Sequence, residues 1–287
     1  MSDPVLSPAW LAERLGDPNL IVLDASWFLP GSARDPDSEF LEGHIPGAQR
    51  FRIDEIADAT RGLPHMLPTP DAFAAAVSSM GVGPDSKIVV YDSQGLFSAP
   101  RVWWSFRVMG HDAVHVLDGG LPAWTAQGCP LESGPAIQRP PGAFRSRFRG
   151  ELVRDLEQVR QALETGAAQL IDARPAARFR GETPEPRPGL RSGHMPGALN
   201  LPFSEVVMEG CLAPIEALRA RFANCGLDLN RGVVATCGSG VSAAVLALAL
   251  ARAGRWDVAV YDGSWSEWGA APDTPVVMGP STPGAAA

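Results

Sequence analysis

Short apolar runs alternate with helix-type stretches along most of the chain. Runs rich in Val, Ile and Leu predict buried strands at residues 20–25, 87–91, 114–117, 169–172, 232–236 and 257–261. Helical periodicity and capping predict helices from Pro8 after the N-cap Ser7, near residues 71–80, 100–109, 155–164 and 214–225, and just after Cys237. This alternation predicts an α/β fold, in which a mostly parallel sheet carries helices on both faces.

The pattern occurs twice in the chain. Four landmarks recur in the same order: Asp24 and Asp172 after a strand, His44 and His194 in Gly-His-x-Pro-Gly-Ala, Asp92 and Cys237 after another strand, and Asp118 and Asp262 in an Asp-Gly…Trp motif. The offsets between the paired residues are 148, 150, 145 and 144 positions. Nearly constant offsets over four landmarks indicate a duplicated domain.

The duplication sets the predicted domain boundaries. The first domain covers residues 1–135 and the second covers residues 151–277. Residues 136–150 are rich in proline and have little periodicity, so we interpret them as a linker. Residues 278–287 are rich in glycine, proline and alanine, which predicts a flexible tail.

Composition and charge narrow the class of function. The 287 residues are 45% hydrophobic and 20% charged, which is typical of a globular chain. A net charge of −8 argues against nucleic acid as a partner. The N-terminus has no secretory pattern and no apolar run is long enough to span a membrane, so we expect a cytoplasmic protein that does not bind membranes. The four cysteines lack metal-ligand spacing, and we expect no bound metal and no disulfide.

The strongest candidate for chemistry is Cys237, at the junction between a predicted strand and a predicted helix. Backbone N–H groups at a helix start lack partners within the helix, and the helix dipole favours negative charge there. The position is therefore suited to a thiolate, or to an anion beside one. Five small or medium-sized residues follow and let the backbone curl around the sulfur: Gly238, Ser239, Gly240, Val241 and Ser242.

Other interpretations of this stretch are weaker. A free cysteine is often simply a buried structural thiol, which is how we interpret Cys129, Cys211 and Cys225. Gly238–Ala243 also matches the dinucleotide pattern G-x-G-x-x-A, but the motif lies near the end of the chain and has no counterpart in the first copy. A cysteine phosphatase would place an arginine six positions after the cysteine, where this chain has Ala243.

Arg178 and Arg187 flank a charged stretch that we predict to be a loop. A solvated surface turn would explain the charges. Arginine also grips carboxylates with two parallel hydrogen bonds, so two arginines on one loop are suited to a small anion. The Gly-His-x-Pro-Gly-Ala turn occurs in both copies, and we therefore interpret His44 and His194 mainly as parts of a structural turn.

Taken together, the motifs closely resemble those of the tandem-domain rhodanese, or sulfurtransferase, family. The resemblance extends from Asp24 to Trp268 and includes the paired turns and the segments Arg101–Trp104, Val234–Cys237 and Tyr261–Trp268. It implies two tandem rhodanese-like domains, of which the C-terminal one is catalytic. Asp92, at the cysteine position of the first copy, fits an inactive N-terminal domain.

Within that family, the loop after the cysteine separates two branches. Thiosulfate-using members carry a Cys-Arg-Lys-Gly-Val-Thr pattern, whose basic residues suit a dianion. The segment Cys237-Gly-Ser-Gly-Val-Ser242 is neutral and resembles the branch that uses 3-mercaptopyruvate. In that branch, two arginines at positions matching Arg178 and Arg187 bind the carboxylate of the substrate.

The resemblance implies a reaction through a persulfide on Cys237, which passes sulfur to a thiol, a thioredoxin or cyanide and requires no metal or organic cofactor. Ser239 would hydrogen-bond to the substrate or relay a proton, and His44 and Asp35 are candidates for a Ser/His/Asp relay. Two alternatives stay open: a thiosulfate sulfurtransferase, and a non-catalytic persulfide carrier. A passive carrier has no need of a carboxylate clamp, so the paired arginines argue against it.

Overall fold

The computed structural model describes residues 3–281, which form two compact units. Unit 1 contains residues 3–58, 67–149 and 209–212. Unit 2 contains residues 59–66, 150–208 and 213–281. Two short segments, 59–66 and 209–212, each lie in the unit of the other repeat. Part of the predicted tail, residues 282–287, lies outside the described residues.

Unit 1 is built on a five-stranded sheet with the order β1-β5-β4-β2-β3 and parallel pairing throughout. Its strands are β1 (Val5–Leu6), β2 (Leu20–Asp24), β3 (Gln49–Arg50), β4 (Lys87–Tyr91) and β5 (Val114–Leu117). Its helices are α1 (Pro8–Ala12), α2 (Pro36–Glu42), α3 (Pro70–Ser79), α4 (Ala99–Val108) and α5 (Gly120–Ala126).

The sheet of unit 1 is buried on both faces. All five residues of β2 are buried, although successive side chains point to opposite faces of a sheet. Leu20 and Val22 pack in a core cluster with Leu11 of α1, Phe40 of α2 and Trp124 of α5. The apolar runs of the sequence therefore become central strands because helices cover both of their faces.

Unit 2 repeats this architecture with a five-stranded sheet of order β6-β12-β11-β7-β8, again with parallel pairing throughout. The five strands of this sheet are β6 (Val153–Arg154), β7 (Ala168–Asp172), β8 (Leu199–Asn200), β11 (Gly232–Thr236) and β12 (Ala259–Tyr261). The short strand β9 (Val207–Met208) also belongs to unit 2 but lies outside the sheet, and β10 (Cys211–Leu212) belongs to unit 1. Its helices are α6 (Leu156–Thr165), α7 (Ala176–Phe179), α8 (Ile215–Asn224), α9 (Val241–Arg252) and α10 (Ser264–Trp268), and 3₁₀ turns cover Ala59–Arg61, Gly150–Leu152 and Phe203–Val206.

The α/β prediction is confirmed, and the long elements start and end within a few residues of their predicted positions. The pattern missed short elements, notably α2 and α7, because one or two helical turns carry too little periodicity. The predicted linker packs on unit 1, where the Gly142 and Arg147 N–H groups donate to the carbonyls of Ser78 and Met109 at 2.8 Å each. Over residues 3–281, none of the helices combines the length and hydropathy that crossing a membrane requires.

Candidate active site

Cys237 follows β11 directly, at the carboxyl edge of the sheet of unit 2. A loop of three residues then leads into α9, and Gly240 reaches the left-handed region with a φ of 81°. This turn brings the Gly240 N–H to 3.1 Å from the Cys237 Sγ, which accepts the hydrogen bond. Cys237 is buried and only 2% exposed. The loop of residues 237–240, hereafter the cysteine loop, thus presents the sulfur to a backbone donor, as its small residues predicted.

A second loop, after β12, fixes the cysteine loop. Ser264 Oγ accepts a hydrogen bond from the Cys237 N–H at 3.3 Å, and the Trp265 N–H donates to the Cys237 carbonyl at 2.9 Å. Ser266 donates to the Gly238 carbonyl from both its N–H, at 2.8 Å, and its hydroxyl, at 2.7 Å. The Asp-Gly…Trp motif of the second copy therefore contributes more than packing, because it holds the backbone on both sides of the sulfur.

Arg178 and Arg187 converge on the cysteine loop. A methyl group built on Gly238 would lie 3.3 Å from Nη2 of Arg178 and 4.0 Å from Nη1 of Arg187. Both guanidinium groups therefore lie over the residue that follows Cys237. The prediction of a loop for this stretch was wrong for Arg178, which lies on the one-turn helix α7. Since α7 follows β7 at the same edge of the sheet, that helix aims Arg178 at the loop.

A buried chain of ion pairs holds Arg178 in place. Both oxygens of the Glu185 carboxylate accept hydrogen bonds from Arg178, and Glu185 Oε1 also accepts one from Arg174 Nη1 at 2.8 Å. Arg174 in turn pairs with Asp172 at 2.7 Å. Although burial opposes the charge on Arg174, the two carboxylates raise its pKa.

The side chains of these ion pairs differ in exposure. Arg174 and Arg178 pair with Asp172 and Glu185, and Arg187 places a further guanidinium near Gly238. Arg174 and Glu185 have side chains that are 1% and 2% exposed, whereas the side chain of Arg178 is 21% exposed. Arg178 is thus the member of the chain that reaches an open surface. A small anion placed between Arg178 and Arg187 would meet two guanidinium groups next to the sulfur.

His65 is the residue of this site that sequence reasoning missed. Its Nε2 lies 3.4 Å from Nη2 of Arg187, and its side chain is buried. A guanidinium only donates hydrogen bonds, so in this contact Nε2 is the acceptor. Residues 59–66 belong to unit 2 although they lie in the first repeat of the sequence. No local motif marks His65, since its partner is 122 positions away.

The other predicted site residues divide into two groups. Ser239 is buried within the cysteine loop, and Val241 and Ser242 form the first turn of α9. His44 and Asp35 belong to unit 1. The His44 ring is fully buried, stacks on Phe40 at 3.9 Å between centroids, and hydrogen-bonds through Nδ1 to the Phe40 carbonyl. Asp35 is the N-cap of α2. These contacts give both residues structural roles, and His65 is the histidine that the structure brings to the arginines.

The other three cysteines differ from Cys237 in their exposure. Cys129, Cys211 and Cys225 are partly exposed and none of the three forms a disulfide. Burial raises the pKa of the Cys225 thiol, which disfavours its thiolate. Within residues 3–281, no cluster of His, Cys, Asp or Glu side chains is arranged to hold a metal ion.

The chain is similar to known proteins over most of its length. The family model of the rhodanese-like domain matches this chain twice, at residues 7–127 and 155–271. The chain belongs to the rhodanese family. The second match contains Cys237 together with Arg178 and Arg187, and the first contains Asp92. The resemblance inferred from the motifs is therefore confirmed.

Individual relatives within the family are similar over nearly the full length. The chain is 48% identical to a 3-mercaptopyruvate sulfurtransferase of Escherichia coli, over 93% of this chain and 95% of that protein. It is 44% identical to a thiosulfate sulfurtransferase of Cricetulus griseus, over 96% of both. The crystal structure of SseA, a 3-mercaptopyruvate sulfotransferase of E. coli, superposes with a TM-score of 0.85 at 43% identity, covering 92% of this chain and 99% of that one. The relatives' names thus include both sulfur donors.

Proposed function

We propose that this chain is a sulfurtransferase that takes sulfur from 3-mercaptopyruvate onto Cys237 and passes it to an acceptor. The observation that carries the proposal is the convergence of Arg178 and Arg187 on Gly238, next to the sulfur. A 2-keto acid presents a carboxylate to two such donors, and its mercaptomethyl group extends away from that carboxylate. A substrate gripped at the carboxylate is therefore oriented with its sulfur toward Cys237.

The first half-reaction forms a persulfide. The Cys237 thiolate attacks the sulfur of 3-mercaptopyruvate, a sulfur–sulfur bond forms, and the carbon–sulfur bond breaks. The electron pair of the broken bond goes to carbon and gives the enolate of pyruvate, which takes up a proton on release. The substrate's S–H proton remains on the outer sulfur. The Gly240 N–H stabilises negative charge on Sγ, and the two guanidinium groups stabilise the anionic product.

The second half-reaction returns the enzyme to its starting state. An acceptor thiolate or cyanide attacks the outer sulfur, the sulfur–sulfur bond breaks, and its electron pair returns to Cys237 as thiolate. We propose a small thiol, a reduced thioredoxin or cyanide as acceptors, and a cytoplasmic location. Ser239, beside Gly238, is proposed to hydrogen-bond to the substrate or to pass on a proton. No step of this cycle draws on a metal or an organic cofactor.

Donor selectivity follows from charge. Thiosulfate is a dianion without a carboxylate, and the cysteine loop itself adds no basic side chain to the two arginines. 3-Mercaptopyruvate carries one carboxylate, which matches the pair of arginines. The geometry therefore supports 3-mercaptopyruvate over thiosulfate as the preferred donor. The carrier alternative has less support, since a passive carrier needs no clamp for a keto acid.

The test compares the two donors with one common thiol acceptor, in steady state, on the wild-type protein and on Cys237→Ser. A strong preference for 3-mercaptopyruvate that the substitution abolishes supports both the donor and the nucleophile. A preference for thiosulfate would contradict our interpretation of the neutral loop. A protein inactive with both donors, yet able to accept sulfur from a persulfidated partner, would be a carrier.

A further inference from the structure

Two serines of α10 hold the cysteine loop. Ser264 Oγ accepts a hydrogen bond from the Cys237 N–H at 3.3 Å and donates one to the Tyr261 carbonyl at 2.7 Å. Ser266 donates twice to the Gly238 carbonyl, from its N–H at 2.8 Å and from its hydroxyl at 2.7 Å. Ser264 is fully buried and Ser266 is 5% exposed, so little water reaches these bonds.

Unit 1 has no counterpart of these two side chains. Counted from the aspartate of the Asp-Gly…Trp motif, Gly120 of unit 1 corresponds to Ser264. Pro122 corresponds to Ser266 in the same way, and both are the third residue of their helix. Glycine has no hydroxyl, and proline has neither a hydroxyl nor an N–H. The three hydrogen bonds that join the two serines to the loop are therefore specific to the unit that contains Cys237.

The two units do share one backbone hydrogen bond at this place. In unit 1 the Leu121 N–H donates to the Asp92 carbonyl at 3.0 Å. In unit 2 the Trp265 N–H donates to the Cys237 carbonyl at 2.9 Å. Both units thus fix this carbonyl, so the fold by itself does not require the additional bonds from the serines.

Ser264 adopts a backbone conformation that is typical of glycine. Its φ is 50°, in the left-handed region, and the φ of Gly120 is 54°. A residue with a Cβ is disfavoured there because the Cβ approaches the following carbonyl. In unit 1 a Cβ on Gly120 would lie 2.3 Å from the Asp92 carbonyl oxygen, whereas unit 2 accommodates the Ser264 side chain. The serine thus occupies a strained position at which its hydroxyl reaches the Cys237 N–H.

The bonds from α10 also orient two peptide groups of the cysteine loop, because the N–H of a trans peptide points opposite to its C=O. The Cys237 carbonyl faces Trp265, so the Gly238 N–H points away from α10. The Gly238 carbonyl faces Ser266, so the Ser239 N–H also points away from α10. Within residues 3–281, neither of these two N–H groups has a hydrogen-bond partner. Both are therefore available to negative charge that develops beside them.

We propose that Ser264 and Ser266 are positioning residues for sulfur transfer. Ser264 holds the N–H of Cys237, the proposed nucleophile. Ser266 holds the Gly238 carbonyl, so that the loop keeps its N–H donors directed at the reacting sulfur. In this role neither serine contacts the substrate, and both act through the cysteine loop. The inference rests on the proposed function, because it assigns the serines to the same reaction.

Two substitutions test Ser266. Ser266→Ala removes the hydroxyl and keeps the N–H, whereas Ser266→Pro removes both donors and introduces the residue that unit 1 has at this position of the helix. The kcat with 3-mercaptopyruvate should fall about threefold in Ser266→Ala and about tenfold or more in Ser266→Pro, since each neutral hydrogen bond contributes a factor of this order. The KM should stay within about twofold of the wild-type value, because Arg178 and Arg187 are unchanged. Thr165→Ala, which removes an exposed hydroxyl bonded to a backbone carbonyl of unit 2, is the control and should keep the wild-type kcat.

Ser264→Ala and Ser264→Gly separate the hydroxyl from the strained backbone. Both variants lack the hydroxyl, but only glycine also removes the strain at a φ of 50°. The kcat should fall about threefold in both, because the hydroxyl is what positions the loop. Urea unfolding measures the stability of each variant and checks that it is folded in the assay. A kcat that follows the unfolding free energy across the variants would mean that Ser264 acts only through stability, which overturns its positioning role.

The ionisation of Cys237 gives a readout that needs no sulfur donor. The thiolate absorbs in the ultraviolet, and the difference between each protein and its Cys237→Ser version isolates this absorbance. A displaced loop withdraws the Gly240 N–H from the Cys237 Sγ. The thiolate of Ser266→Pro should therefore form at a pH about half a unit higher than in the wild type.

The outcomes separate this inference from the proposed function. An unchanged kcat together with an unshifted thiolate in Ser266→Pro would overturn the positioning role. A raised KM at an unchanged kcat would also overturn it, since the effect would then lie in substrate binding. If the wild-type protein transferred sulfur from neither donor, the proposed function would fail, while a thiolate shift in Ser266→Pro would still support the positioning role.

Discussion

The two units share one fold but differ in what lies at the end of the central strand. In unit 2, Cys237 Sγ accepts a hydrogen bond from Gly240. In unit 1, Asp92 takes the same place, and its carboxylate accepts hydrogen bonds from four backbone N–H groups at 2.8–2.9 Å, those of Gln94, Phe97, Ser98 and Ala99. The backbone N–H groups of this loop in unit 1 thus bind the side chain of Asp92, whereas unit 2 has the Cys237 thiol at the same place.

A second difference is the sign of the facing charge. Phe40 and Phe179 are equivalent, because each stacks on the histidine of its Gly-His-x-Pro-Gly-Ala turn, at 3.9 and 3.7 Å. The residue before each phenylalanine faces the loop. In unit 2 this residue is Arg178, over Gly238, and in unit 1 it is Glu39, whose Oε2 accepts a hydrogen bond from Ser93 at 3.2 Å.

Each of these facing residues also has a neutralising partner of the opposite charge. Glu185 pairs with Arg178, and Arg34 pairs with Glu39 at 2.6 Å. Both units therefore have an ion pair at this place, but the residue that faces the loop is positively charged in unit 2 and negatively charged in unit 1. The comparison teaches that a few side chains on a common scaffold decide whether its loop receives an anion, because the charge facing the loop sets the local potential.

The largest effect is expected at the nucleophile. Cys237→Ser should lower turnover with 3-mercaptopyruvate by at least about 1,000-fold, because the hydroxyl is not ionised and cannot carry the persulfide. Mass spectrometry of the wild-type protein incubated with 3-mercaptopyruvate alone should find it one sulfur atom heavier, and the variant should gain nothing. Cys225→Ser is the matched control and should keep full activity. A variant at position 237 that retains turnover would remove Cys237 from the mechanism.

Asp92 should matter for stability and not for turnover. Asp92→Ala leaves several buried N–H groups without their acceptor, which costs about 2–4 kcal/mol of unfolding free energy. Urea unfolding followed by tryptophan fluorescence measures this loss. Asp71→Ala, in the first turn of α3, is the control and should cost well under half as much. An Asp92→Ala protein as stable as the wild type would contradict the conclusion that the hydrogen bonds to the Asp92 carboxylate stabilise unit 1.

The next prediction tests whether the positive charge beside the cysteine loop binds the carboxylate of the sulfur donor. Arg187→Ala should raise the KM for 3-mercaptopyruvate by about 10- to 100-fold, since a hydrogen bond to a charged group contributes about 1.5–3 kcal/mol. The KM for thiosulfate should rise much less. Arg180→Ala is the control, because Arg180 pairs with Glu182 at an exposed position. Equal losses with both donors would contradict the clamp.

The smallest effect is expected at His65, which contacts Arg187 and acts through it. His65→Ala should raise the KM for 3-mercaptopyruvate about threefold to tenfold and leave kcat nearly unchanged. His65→Gln, which offers a carbonyl acceptor, should recover part of the loss. In the double variant with Arg187→Ala, the loss of His65 should add little, because its partner is gone. A fall in kcat with an unchanged KM would instead place His65 in the chemistry.

Local patterns were sufficient for the repeat, for the long strands and for the position of Cys237. Apolar runs such as residues 232–236 become buried strands in any parallel sheet, and a run of small residues marks a tight turn whatever surrounds it. The roles of Cys237, Arg178 and Arg187 stay predictions until the variants are measured. Their proximity to one another is nonetheless a property of the fold that the sequence only suggested.

The sequence by itself determined the fold class, the duplication and the residue at the end of each central strand, since these follow from short-range periodicity and from the order of landmarks. Tertiary structure alone decided that Arg178 starts from a helix, that Glu185 neutralises it, and that His65 from the first repeat meets Arg187 in unit 2. The physical reason is that such contacts join residues far apart in sequence. Their partners are set by how the elements pack, and not by any local pattern.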